Sequence, residues 1–99
     1  MELKEKVMKQ LEQVEDPELM VDIVSLGLVY DVFIKDKGHV HVLITLTFPG
    51  CPFGHIIEES IVNAVCDLDE VQSATVEITF EPPWTPEKID PDIRAALGL

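Results

Sequence analysis

Apolar side chains near the start of the chain recur every three or four residues, which is the period of one helix face. The positions are Leu3, Val7, Leu11 and Val14. We expect this helix to end before Asp16, because Pro17 disfavours helical geometry in the residue that precedes it. The next stretch, 19–27, has no clear period and predicts a short helical turn or a structured loop that ends at Gly27.

Three later stretches alternate apolar and polar positions, which is the pattern of a half-buried strand. They are residues 30–35, 39–48 and 73–80. The first two flank the sequence Asp36-Lys37-Gly38 and predict a β-hairpin with a short glycine-bearing turn. Between the second and third strands, a second helix over about 53–67 is predicted from one apolar stripe, formed by Ile57, Ile61, Ala64, Val65 and Leu68.

The predicted order is therefore α-β-β-α-β, which favours an α/β (α+β) two-layer sandwich with a three-stranded sheet and both helices on one face. The tail, residues 81–99, contains four prolines and a weak helical pattern. We expect it to pack across the second sheet face or against a neighbouring subunit. A length of 99 residues suits a single domain, 1–99.

The charge balance narrows the classes of partner. The chain has 7 Lys and Arg against 19 Asp and Glu, a net charge of −12. A field of this sign repels phosphate backbones and anionic lipids, so we expect no nucleic-acid binding and no electrostatic membrane attachment. The charged start, Met1–Lys6, does not resemble a signal peptide, and a cytoplasmic protein is expected.

Two cysteines, Cys51 and Cys66, are too few for a disulfide framework or for a closed iron–sulfur or zinc site, which needs about four ligands. A straight helix would separate their sulfur atoms by about 20 Å, too far for a disulfide. We expect Cys66 to be a small buried side chain in the second helix.

Cys51 is the position of greatest chemical interest, because it lies in the predicted turn between strand and helix. The N–H groups and dipole at a helix N-terminus stabilise a thiolate. Pro52 suits a first helical position, and Gly50 permits a tight turn. These features fit a reactive or metal-binding sulfur, and they fit a small residue packed in a turn equally well.

Two further clusters carry polar side chains. The loop Glu15–Glu18, followed by Asp22, could bind a hard cation or could cap the next segment. His39 and His41 are predicted on one strand face with Thr45 and Thr47, where solvent exposure is expected to prevail over metal binding. His55, four residues after Cys51, could support a thiolate there, although solvent exposure is favoured.

Three ordered motifs resemble those of one known family. They are DPEL at Asp16–Leu19, DIVSLGLVY at Asp22–Tyr30 and TLTFPGCP at Thr45–Pro52. Together they resemble the SufT/PaaD/MIP-type family of metal–sulfur (iron–sulfur) cluster assembly factors. PaaD-like members carry a further cysteine-rich C-terminal region, whereas the tail here contains PPWTP and no cysteine, so the resemblance favours SufT-like members.

The resemblance implies a non-enzymatic accessory factor that helps iron–sulfur clusters form on apo-proteins. It implies a functional pocket at Cys51, Asp16, Glu18, Thr45 and Thr47, and scaffold positions at Gly27, Tyr30, Pro49, Gly50 and Pro52. We expect no tightly bound cofactor, and because one thiolate cannot satisfy a cluster, a transient iron–sulfur cluster or iron would be shared with a partner. The expected partners are assembly scaffold or carrier proteins and apo-protein targets, and whether the chain forms a homodimer stays open. Three alternatives stay open: a metal-free adaptor module, a thiol enzyme, and an oxygenase accessory subunit of the PaaD type.

Overall fold

The computed structural model describes residues 2–47, 49–50 and 52–98. Its main elements are α1 (Leu3–Leu11), β1 (Val29–Lys35), β2 (His39–Ile44), α2 (Gly54–Cys66), β3 (Ser73–Ile78) and α3 (Pro91–Leu97). The predicted α-β-β-α-β order and α+β class are confirmed. The tail adds α3, a third helix, at the place where the sequence shows a weak helical pattern.

The sheet has the order β1-β2-β3. β1 and β2 are antiparallel and form the predicted hairpin, with Lys37 and Gly38 of its turn at φ 63° and 71°. β2 and β3 are parallel, because α2 returns the chain to the end of the sheet where β2 began. β2 ends at Ile44 and β3 at Ile78, so both strands are shorter than their alternating patterns predict.

One face of the sheet is covered by α1 and α2, which run antiparallel to each other. Lys6 Nζ of α1 lies 2.7 Å from Glu70 Oε1 just beyond α2, and Gln10 Nε2 donates to the Ala64 carbonyl at 2.7 Å. The side chains buried between these layers include Val7, Leu11, Val40, Val42, Ile44, Ile57, Ile61 and Val65. The loop that follows α1 therefore lies toward the N-terminal end of α2.

The tail packs on the segment before and at the start of β1, rather than across the second sheet face. Trp84 Nε1 donates to the Leu26 carbonyl at 2.7 Å, and the Tyr30 hydroxyl donates to the Pro82 carbonyl at 2.7 Å. Gly27, at φ +74°, admits the tail so closely that an added Cβ would lie 2.4 Å from the Lys88 carbonyl oxygen. Residues 82–88 are thus held against residues 26–30.

No helix within the described residues combines the length and the apolar character that crossing a membrane requires.

Candidate functional site

The acidic loop after α1 is a compact turn organised by the Asp16 side chain. Asp16 is only 2% exposed, and its Oδ1 accepts hydrogen bonds from the N–H groups of Glu18 at 2.8 Å and Leu19 at 3.1 Å. The Asp16 carbonyl also accepts from the N–H of Met20 at 2.8 Å. Asp16 therefore caps the turn that follows it, as one of the two alternatives for this loop predicts. The Glu18 side chain is exposed and takes no part in this capping.

The segment that follows is a second capped turn. Asp22 Oδ2 accepts from the Ser25 N–H at 2.9 Å, and Gly27 ends the turn in the left-handed region. This confirms the prediction of a structured loop over 19–27 that ends at Gly27. Tyr30 then enters β1, and its ring lies 5.2 Å from Lys88 Nζ, so both scaffold positions contact the tail.

Backbone hydrogen bonds connect the Asp16 loop to Thr45. Asp16 N–H donates to Val21 at 2.9 Å, Leu28 N–H donates to Ile23 at 3.0 Å, and Thr45 N–H donates to Leu28 at 2.8 Å. The loop and the start of the 45–53 turn are consequently at the same end of the molecule. Among the described residues, no hydrogen bond joins the Asp16 or Glu18 side chain directly to Thr45 or Thr47.

Thr45 and Thr47 differ in accessibility. Thr45 is completely buried, and its Oγ1 lies 3.5 Å from the Leu46 carbonyl, a long contact for a hydroxyl donor. Thr47 lies in a bend and is half-buried. Of the two side chains, only that of Thr47 is open to a ligand. Thr45 stabilises this part of the fold through its backbone hydrogen bond and its packing.

The turn between β2 and α2 is described at Pro49, Gly50 and Pro52, all of which are exposed. The prediction that Pro52 takes the first helical position is wrong. α2 begins at Gly54 with Phe53 as its N-cap, because the Phe53 carbonyl accepts the first helical bond, from Ile57 N–H at 2.9 Å. Cys51 itself lies outside the described residues, and its role as a thiolate ligand stays a prediction.

The expectation of a buried Cys66 is also wrong, since this thiol is exposed. Cys66 is the last residue of α2, and the buried stripe of that helix is formed by Gly54, Ile57, Ile61 and Val65. A residue directly after Val65 is turned about 100° away from the stripe and toward solvent.

The two histidines of β2 form a polar network on the uncovered sheet face. Their ring nitrogens pair across the strands, His39 with Ser73 at 2.6 Å and His41 with Glu77 at 3.0 Å. Thr45 does not share this environment as predicted, because β2 ends at Ile44 and the chain turns inward. His55 is exposed in the first turn of α2, as favoured from the sequence.

One concave feature was not indicated by any sequence motif. An open groove of about 220 Å³ lies between α2 and β3. It is lined by His55, Glu58, Glu59, Val62, Asn63 and Val76. The signal that could have shown it is the helical spacing of His55, Glu58 and Val62, which places these side chains in one row beside the buried stripe.

The described residues contain no group of three or more His, Cys, Asp or Glu side chains placed to hold a metal ion. Oδ1 of Asp16 accepts from two backbone N–H groups, and the histidines of β2 are paired with side chains of β3.

Comparison with known proteins agrees with this fold and with these motifs. The model of the family described as "iron-sulfur cluster assembly protein" matches residues 4–78. The chain is 50% identical to the Fe-S protein maturation auxiliary factor YitW of Bacillus subtilis, over 98% of this chain and 95% of that protein. It is 42% identical to the Fe-S protein maturation auxiliary factor SufT of Staphylococcus aureus, over 85% and 96%.

The fold is also that of a solved relative. A crystal structure of a domain of unknown function from Bacillus anthracis superposes with a TM-score of 0.92 at 36% identity, and the match covers 98% of this chain and 92% of that one. The sequence motifs, the loop geometry and these matches agree, and the chain belongs to the iron–sulfur cluster assembly protein family.

Proposed function

We propose that this protein is an accessory factor that helps iron–sulfur clusters reach apo-proteins, with Cys51 as a labile ligand to the iron or cluster in transit. The family match and the maturation factors among its relatives support the accessory role. None of those relatives is named as an enzyme, and we infer a role without turnover of its own. Iron or cluster is the cargo, and the chain handles it without retaining it.

The observation that carries this proposal is the position of the acidic loop. The chain of backbone hydrogen bonds from Asp16 to Thr45, together with the antiparallel course of α1 and α2, brings this loop to the end of the molecule where the 45–53 turn begins. Glu18 is exposed on that loop and Thr47 is half-buried on the turn. Two oxygen-bearing side chains are thus available at the end where the sequence places Cys51.

The cargo must be shared. An iron–sulfur cluster is held by about four ligands, mostly thiolates, and one cysteine cannot satisfy it. We infer that an assembly scaffold, a carrier, an apo-protein or a second copy of the chain supplies the remaining ligands.

A metal-free adaptor is the second candidate, and one observation favours it. Asp16 and Thr45 are 2% and 0% exposed, so little of either side chain is open to a ligand. In an adaptor, both residues would only shape the surface that recruits a target protein. The Cys51 side chain would then contribute contact area and not chemistry.

Replacement of Cys51 by Ser separates the two candidates. The variant is assayed twice, for capture of an apo-protein target and for activity that the target gains during maturation. Cys66→Ser is the matched control, because it removes the other thiol from an exposed position. The proposal predicts intact target capture and lost maturation for Cys51→Ser alone. Loss of capture would favour the adaptor, and full maturation by Cys51→Ser would refute a role for the thiol.

A further inference from the structure

The groove between α2 and β3 lies along an open edge of the sheet. β3 is the last strand in the order β1-β2-β3, and within the described residues its outer side pairs with no other strand. The tail does not close this edge, since its hydrogen bonds reach Tyr30 and Leu26 instead. An uncovered edge strand offers a row of backbone donors and acceptors to another extended chain.

The alternation of the strand shows which residues face outward. Thr79 N–H donates to the Ile44 carbonyl at 2.9 Å, so Thr79 turns its backbone toward β2. Residues two apart share this direction, and residues between them turn the opposite way. Val76 therefore turns its N–H and carbonyl to the free edge, and its side chain lines the groove.

The walls of the groove specify the side chains that would fit. Val62 and Val76 supply apolar surface, and Glu58 and Glu59 supply two carboxylates. No described ion pair engages either glutamate, and the whole chain has a net charge of −12. A strand with an apolar and a basic side chain two residues apart matches both properties, because side chains two apart on a strand point to the same side, here toward the groove.

We propose that this groove binds an extended, basic segment of a partner protein, which adds to β3 as a further strand. An apolar side chain of that segment contacts Val62 and Val76, and a Lys or Arg two residues away, on the same side of the strand, pairs with Glu58 or Glu59. Main-chain bonds supply affinity and the groove supplies selectivity, as in other cases of strand addition. This inference names the kind of partner for the proposed accessory role, but the binding itself requires neither Cys51 nor a cluster.

The test measures binding of one probe to the full chain at physiological salt. The probe is the acetylated and amidated peptide Thr-Lys-Thr-Val-Thr-Lys, which matches the six residues of β3 in length and places Val and both Lys on one side of the strand. Saturable binding is expected, with amide shifts at Ala74, Val76 and Ile78 in NMR spectra. The same peptide with N-methyl groups on alternate amides should bind about tenfold more weakly, because it cannot complete the ladder.

Two double variants with the same charge distinguish the groove from general attraction. Glu58→Gln with Glu59→Gln should weaken binding about fivefold, the effect of losing two exposed ion pairs. Glu5→Gln with Glu12→Gln, two exposed positions at the ends of α1, should change binding less than about twofold.

Each of three results would overturn the proposal. They are equal weakening of binding by the two double variants, binding of the N-methylated peptide as tight as that of the unmodified peptide, and no saturable binding below about 1 mM. The outcome is independent of the maturation assay on Cys51→Ser. Failure of the groove and failure of the accessory role are therefore distinguishable.

Discussion

Asp16 allows a quantitative test of whether the acidic loop is a structural cap. Asp16→Ala removes the acceptor of two N–H groups in a side chain that is 2% exposed. A buried donor left without a partner costs about 1–3 kcal/mol. With two part-buried donors, we expect the free energy of unfolding to fall by about 3 kcal/mol, which lowers Tm by about 15 °C in a domain of this size.

Two variants calibrate this value. Asp16→Asn keeps an acceptor oxygen and should cost only about 1 kcal/mol, since the amide of Asn can preserve the turn. Asp22→Ala removes a single bond, to Ser25 N–H at 2.9 Å, and should cost about 1 kcal/mol.

The assay is urea unfolding followed by circular dichroism for all three proteins. An Asp16→Ala variant within about 0.5 kcal/mol of the parent would refute the capping role. An Asp16→Asn variant that keeps its stability but loses target maturation would assign the carboxylate itself a function.

Three further predictions concern backbone geometry and thiol reactivity. Gly27→Ala should lower the free energy of unfolding by about 3 kcal/mol, because the added Cβ would lie 2.4 Å from a tail carbonyl oxygen. At Gly98 an added Cβ meets no atom within 4 Å, so Gly98→Ala should cost only about 1 kcal/mol, for its φ of +77°. Thermal unfolding of the pair checks this difference, and equal losses would contradict it. Met20→Gly should raise the free energy of unfolding by about 0.5 kcal/mol. The left-handed φ of 59° costs Met20 about 1 kcal/mol, and the greater backbone freedom of glycine in the unfolded chain offsets about half of the gain from removing that cost. A loss of stability in the same assay would contradict this prediction. Iodoacetamide should alkylate Cys51 faster than Cys66 in the folded protein, because a helix N-terminus stabilises a thiolate. Because the Cys66 thiol is exposed, a difference between the two alkylation rates cannot be caused by burial of Cys66. Equal rates by mass spectrometry would remove the case for a poised thiolate.

The elements were predictable wherever local spacing determines them. Val7 and Leu11 of α1, and Ile57, Ile61 and Val65 of α2, are at helical spacing and are all buried. The hairpin was predictable because the alternating strands meet at a glycine-bearing turn. In each case the spacing of nearby residues determines the type of element, and burial of its apolar face determines only how the element is turned toward the core.

Other features depend on contacts between distant residues. Alternation continues through Thr45, and Thr45 N–H donates to the Leu28 carbonyl in register with the Val29–Ile44 pair, but the strand ends at Ile44. Trp84 finds its acceptor at Leu26, 58 positions earlier in the chain, and no local pattern indicates that partner.

The residues of the candidate site were proposed from the family resemblance, and their roles stay predictions. The three motifs identified Asp16, Glu18, Thr45 and Thr47, and the structure brings the acidic loop and the turn to one end of the molecule. It also shows that Asp16 and Thr45 are buried, which sequence alone does not reveal for a carboxylate and a hydroxyl. The net charge of −12 did not indicate that Glu58 and Glu59 lie beside an open strand edge.

The most direct test of the proposed function is native mass spectrometry of the full chain after anaerobic addition of iron and sulfide. The measured quantity is the number of protein chains per iron–sulfur cluster. A cluster shared through Cys51 predicts that clusters occur only on species with at least two protein chains, and that Cys51→Ser abolishes them while Cys66→Ser does not. A stable cluster on a single chain, or undiminished clusters on Cys51→Ser, would contradict the proposal.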